Sequence, residues 1–108
     1  MRFRWEFDLV KKTGTVFPGR YMLLSACCPD GESSRRIGFI TGKRLGKAVL
    51  RNLVRRRLRE TYRLQRRSIK PCLWLVLIAR PTAVKASFHD LKAEFTALLQ
   101  SAQKTICA

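Results

Sequence analysis

Eight consecutive apolar residues, Cys72 to Ala79, narrow the possible folds of this chain more than any other feature. A strand with one wet face alternates apolar and polar residues, and this run does not. It reads as a strand buried on both faces in the middle of a sheet. Pro81 ends it. Eight residues are too few for a bilayer, which needs about 20. The fold is therefore built around a covered sheet.

The other elements follow in chain order. Trp5 to Lys12 suits a short helix with Phe7 and Val10 on one side and Gly14 as its stop. Thr15 to Phe17 favours strand, and Pro18-Gly19 is a turn. Arg20 to Cys28 reads as a strand closed by Pro29-Asp30-Gly31, and Arg36 to Thr41 as a second one. These two are expected to lie close to an antiparallel hairpin with a long loop. A helix over Lys47 to Gln65 comes next. Ser87, with Asp90 three residues on, opens a last helix whose Phe88, Leu91, Phe95, Leu98, Leu99 and Ala102 recur at core spacing. From Lys104 onward this helix is expected to fray. The order describes one domain over residues 1–108, an α/β sandwich with a sheet of three or four strands. The strands before and after the central helix can pair in parallel through a crossover, right-handed by the general rule.

The chemistry concentrates in residues 42–67, GKRLGKAVLRNLVRRRLRETYRLQRR, where 11 of 26 residues are Lys or Arg and only Glu60 is acidic. At about 100° per residue, Leu50, Leu53, Val54, Leu58, Thr61, Tyr62 and Leu64 fall on one side of a helix. Arg55, Arg56, Arg59, Arg63 and Arg66 gather opposite, with Asn52 among them. Solvated charge faces usually alternate sign. Here Arg55 and Arg59, Arg59 and Arg63, and Arg63 and Arg67 stand four apart, each like pair costing about 0.2–0.5 kcal/mol in an isolated helix. Such a face points to a large, repetitive anion.

Composition agrees. The net charge is +16 at 46% hydrophobic residues, and the sequence pI is near 11.1. A globular chain with that balance points to nucleic acid or an anionic membrane surface. The N-terminal MRFRWEFDLVKK lacks an apolar block of signal length, so a cytoplasmic protein is expected. Cys27, Cys28, Cys72 and Cys107 fit neither a zinc site nor a disulfide framework. Cys27 and Cys72 are expected to be buried as small hydrophobes. His89 has no evident partner, and the seven acidic residues are scattered, so neither a general base nor a two-metal nuclease site is legible.

Gly42 to Lys47 is not a nucleotide loop: its glycines are one residue too close, and Ala48 replaces the magnesium-binding hydroxyl. Gly46 and the following helix N-terminus can still offer unpaired N–H groups to a phosphate beside Lys43, Arg44 and Lys47. The run GFITGKRLGKAVLRNLVRRRLRETYR resembles the signature of the bacterial ribonuclease P protein component. The likeness is carried by Gly46, Lys47, Ala48, Val49, Arg51, Asn52, Arg56 and Arg59, with Arg55 where Lys is usual. LVLIARP resembles the family's fourth strand, and Phe7 its N-terminal aromatic.

The resemblance implies a two-layer αβββαβα sandwich with a small mixed sheet and a left-handed βαβ crossover, similar to the second domain of a small-subunit ribosomal protein. It implies the protein subunit of a ribonucleoprotein that removes the 5′ leader from precursor tRNA. The RNA subunit, holding magnesium, would perform the hydrolysis, with the protein inactive alone and no protein partner or membrane required. Lys43, Arg44, Lys47, Arg51, Asn52, Arg55, Arg56, Arg59 and Arg63 would contact the catalytic RNA. A cleft between the first helix and the sheet would hold the leader, with Phe7 and Lys11 among its residues. The sequence departs from the family pattern at Leu53, where a second Arg is usual, and at Arg57, where Leu is. Lys11 and Ser25 stand where aromatics are frequent, offering a charge and a small hydroxyl. Arg57 is expected to snorkel out past its apolar neighbours. Three rivals remain: a generic ribosomal-type RNA binder, a DNA-reading helix-turn-helix, and a free-standing nuclease.

Overall fold

The computed structural model describes residues 8–10, 12, 14–29 and 36–106. Residues 8–10 and 12 are helical, and the Gly14 N–H closes this segment on the Val10 carbonyl at 2.7 Å. The strands are β1 (Thr15–Pro18), β2 (Met22–Cys27), β3 (Arg36–Ile40) and β4 (Trp74–Ala79). The helices are α1 (Ala48–Gln65), between β3 and β4, and α2 (Phe88–Ile106) after β4. Short 3-10 turns cover Lys43–Leu45, Arg66–Ser68 and Pro81–Lys85. This is the expected mixed α/β sandwich.

The strand order is β1-β2-β4-β3. β4 pairs antiparallel with β2, from Met22 opposite Ala79 to Cys27 opposite Trp74. It pairs parallel with β3, from Arg36 opposite Trp74 to Ile40 opposite Ile78. The parallel pair through α1 is thus as expected, but the β2–β3 hairpin is not. β4 inserts between those strands, because its residues are apolar on both faces and only a central position covers both. The true hairpin is β1–β2, with Thr15 opposite Ala26.

Alternate strand residues serve two layers. Met22, Leu24 and Ala26 of β2 and Leu75, Leu77 and Ala79 of β4 form one core with Val54 and Leu58 of α1 and Leu91, Phe95, Leu99 and Ala102 of α2. Cys27, Trp74 and Val76 point the other way and pack on Val10. Ser25 lies on this second face, 2% exposed, with its hydroxyl turned to the Val10 carbonyl at 3.4 Å.

Three expectations are corrected. Leu64 is 48% exposed, since the buried side of α1 is confined to Val54, Leu58 and Thr61. Cys72 is only half-buried, lying in the turn before β4, whereas Cys27 is buried within β2. α2 remains helical to Ile106, where that side chain packs against the main core. Its start is as expected, with the Ser87 N–H on Asp90 Oδ2 at 3.2 Å and the Asp90 N–H on Ser87 Oγ at 3.1 Å.

One polar clamp fixes the hairpin to α2. The Glu94 carboxylate accepts the backbone N–H groups of Arg20, Tyr21 and Met22, each at 2.9 Å. A Cβ at Gly19 would fall 2.8 Å from the Met22 carbonyl oxygen, which is backbone, and would push Glu94 Oε1 out of the clamp.

Candidate nucleic-acid interface

The segment that delivers the cations begins at the end of β3. Thr41 is 7% exposed, and the turn Lys43–Leu45 follows with Leu45 sunk into the core and Lys43 and Arg44 in solvent. Gly46 then takes φ 115°, a left-handed conformation that glycine adopts without a Cβ penalty. Its N–H bonds to the Lys43 carbonyl at 3.1 Å, so it is not available to a ligand as expected. Lys47 is the N-cap of α1, extended, and no side chain caps the helix. The first-turn N–H groups of Ala48 and Val49 point out of the helix end beside exposed Lys47. With no acidic residue in that turn, the helix dipole adds to the positive field there.

Along α1 the expected site residues divide. Asn52, Arg56 and Arg59 are exposed, while Arg51 and Arg55 are half-buried. The Arg51 Nε is buried with no hydrogen-bond partner. Arg55 Nη2 donates to Thr41 Oγ1 at 2.7 Å. Arg63 does not stand unrelieved: its Nε donates to Glu60 Oε2 at 3.0 Å, and its Nη2 to Oε1. That bond lowers the Glu60 carboxyl below its ordinary range and raises Arg63. Arg57, expected to reach water, instead donates to the Ala86 carbonyl at 2.9 Å and ties α1 to the turn before α2.

Two surface depressions were not expected from sequence. Val49 is 76% exposed and shares a shallow depression with Asn52, Leu53 and Arg56. A groove of about 500 Å3 runs where β3 and β4 end, with Leu23, Ile40 and Ile78 as floor and Lys43, Arg44 and Arg80 as cationic rim. The exposed Arg80 lies after the last strand residue and donates to the Gly19 carbonyl at 2.8 Å. Its sequence signals were the charge ending an apolar run and its place in LVLIARP.

Phe7 and Lys11 lie outside the described residues. Ser25 cannot offer its hydroxyl to a ligand on this face, since residues 8–10 cover it. His89 is exposed near the start of α2. Among the described residues, no three of His, Cys, Asp and Glu gather as a metal site, and no helix is long and apolar enough to cross a membrane. A helix-turn-helix needs a helix just ahead of the reading helix; β3 and a 3-10 turn stand there instead.

The family model Ribonuclease P matches residues 1–103. The ribonuclease P protein component of Chloroflexus aggregans is 40% identical over 90% of this chain and 72% of its own length. The ribonuclease P protein of Staphylococcus aureus superposes with a TM-score of 0.86 at 24% identity, covering 95% of this chain and 94% of that one. For the protein of Thermotoga maritima the TM-score is 0.82 at 25% identity, with 94% of both chains covered.

Proposed function

The chain belongs to the ribonuclease P protein family, and from that membership we propose that it is the RNA-binding subunit of a ribonuclease P. In this reading the RNA subunit holds the magnesium and cleaves the 5′ leader from precursor tRNA in the cytoplasm, and the protein alone is inactive. The observation that carries the reading is the run of cations on one turn and the helix after it, where Lys43, Arg44, Lys47, Arg56 and Arg59 are exposed and Arg51 is half-buried. Lys and Arg side chains that neutralise phosphates release counterions, and that release drives RNA binding. Asn52 adds a neutral donor and acceptor beside them. Arg63 joins this surface only with its Glu60 partner attached.

The leader, an unpaired strand, is assigned to the sheet face left open by α1 and α2. The groove floored by Leu23, Ile40 and Ile78 offers apolar contact for bases and Lys43, Arg44 and Arg80 for phosphates. Phe7 and Lys11 are proposed to extend that surface.

Reconstitution tests the reading. Purified protein added to bacterial ribonuclease P RNA should stimulate precursor tRNA cleavage at low magnesium and release the intact leader. Protein freed of RNA should show no cleavage. Failure to bind or stimulate the RNA would overturn the assignment.

A further inference from the structure

We propose that Arg55 is a positioning residue, which braces the Lys43–Leu45 turn through Thr41 instead of adding one more phosphate contact; this rests on the RNA-binding reading above. The Arg55 guanidinium is half-buried and donates to Thr41 Oγ1 at 2.7 Å, with Thr41 only 7% exposed. Arg56 and Arg59, on the same helix, are exposed. The two bonded residues are 14 apart in sequence. Their bond joins the two pieces that carry the cations, the turn with Lys43 and Arg44 and the helix with Arg51, Arg56 and Arg59.

The turn needs such a brace. Leu45 anchors its far end in the core, and Gly46 at φ 115° swings the chain into α1. Its near end has no comparable packing: a Cβ built on Gly42 would meet nothing within 4 Å. Thr41 is therefore the last fixed point before the exposed cations, and its hydroxyl is held by α1. A guanidinium suits this work, because its planar fork commits one arm in fixed geometry. A charged donor also makes a stronger hydrogen bond than a neutral one.

A double-mutant cycle tests the brace, with a ribonuclease P RNA transcript as probe and Kd followed against salt. Thr41→Val and Arg55→Met should each weaken binding by about fivefold, and the double variant should bind no worse than Arg55→Met alone. Thr41→Val should leave the salt slope unchanged, since it removes no charge. Thr41→Ser, which keeps the hydroxyl, should restore affinity. If Thr41→Val binds as wild type while Arg55→Met lowers the slope by about 0.7–0.9, Arg55 is a phosphate contact and the brace is refuted. Weakening by Thr41→Val that Thr41→Ser fails to rescue would also refute it, by showing a packing effect. A wild-type chain that does not bind the transcript sinks the functional reading itself, whereas wild-type binding without coupling sinks the brace alone.

Discussion

Single residues on the cationic surface differ in how free their charge is, and that ordering was not legible from the helical wheel. Side-chain partners arise from tertiary placement: Thr41 reaches Arg55 only because β3 ends against α1, and Ala86 reaches Arg57 only because a 3-10 turn packs there. Glu60 was visible in the sequence, yet its choice of Arg63 is a local rotamer outcome. Glu60→Gln should therefore free Arg63 for RNA and steepen the dependence of log Kd on log salt by about 0.7–0.9. An unchanged slope would remove Arg63 from the interface. Because the Glu60 carboxyl is lowered by its bond to Arg63, the pair persists above the ordinary carboxylate range and dissolves only as pH falls through the depressed value. Binding of RNA at pH 6 to 8 should thus show no contribution from this pair's titration. Elsewhere, Glu94 serves the fold: hydrogen bonds to a charged acceptor contribute about 1.5–3 kcal/mol each where they are sheltered. With three N–H groups on one carboxylate, Glu94→Ala should lower unfolding free energy by about 2–4 kcal/mol in urea titration. A loss under about 0.5 kcal/mol would show that water replaces the carboxylate without cost.

Elements were more legible than residues. The helix boundaries at Lys47 and Gln65, the capping pair Ser87–Asp90 and the doubly buried run of β4 all follow from local pattern. Local pattern does not say which strands become neighbours. The β2–β3 hairpin expected from sequence adjacency is displaced by β4, whose two apolar faces need cover from both layers. Likewise the wheel of α1 made its apolar side too broad. Leu58 is wholly buried and Leu64 is 48% exposed, although the wheel placed both on one side. Leu58→Ala should cost about 2–5 kcal/mol as a core cavity. Leu64→Ala should stay within about 0.5 kcal/mol of wild type. Equal losses at the two positions in thermal or urea unfolding would mean that α1 sits rotated from the described packing.

For the whole molecule, net charge and the central motif together pointed to a basic surface, and the resemblance named the family that the comparisons bear out. Composition alone would have served any basic RNA binder. The open end of the sheet was harder to see, since the groove at Lys43, Arg44 and Arg80 exists only once β3 and β4 run in parallel. If about six cations neutralise phosphates, affinity for the transcript should fall by about 10³-fold between 50 and 200 mM salt. A change of less than about tenfold in filter binding or fluorescence titration would require a mainly non-ionic interface.

The insertion of β4 between β2 and β3 also dictates when the molecule can acquire its shape. Met22 must find Ala79, 57 residues later in the chain, so the sheet cannot close before β4 is available. Before that moment β1–β2 is an isolated hairpin, which is marginal in water. Non-local pairing of this kind slows folding, because loop entropy is lost before contacts compensate for it. Until β4 pairs, α1 with its arginines has no sheet against which to cover Val54 and Leu58. The nascent chain thus passes through a stage in which it is a polycation without a core. Any polyanion that engages it then competes with folding until β4 arrives.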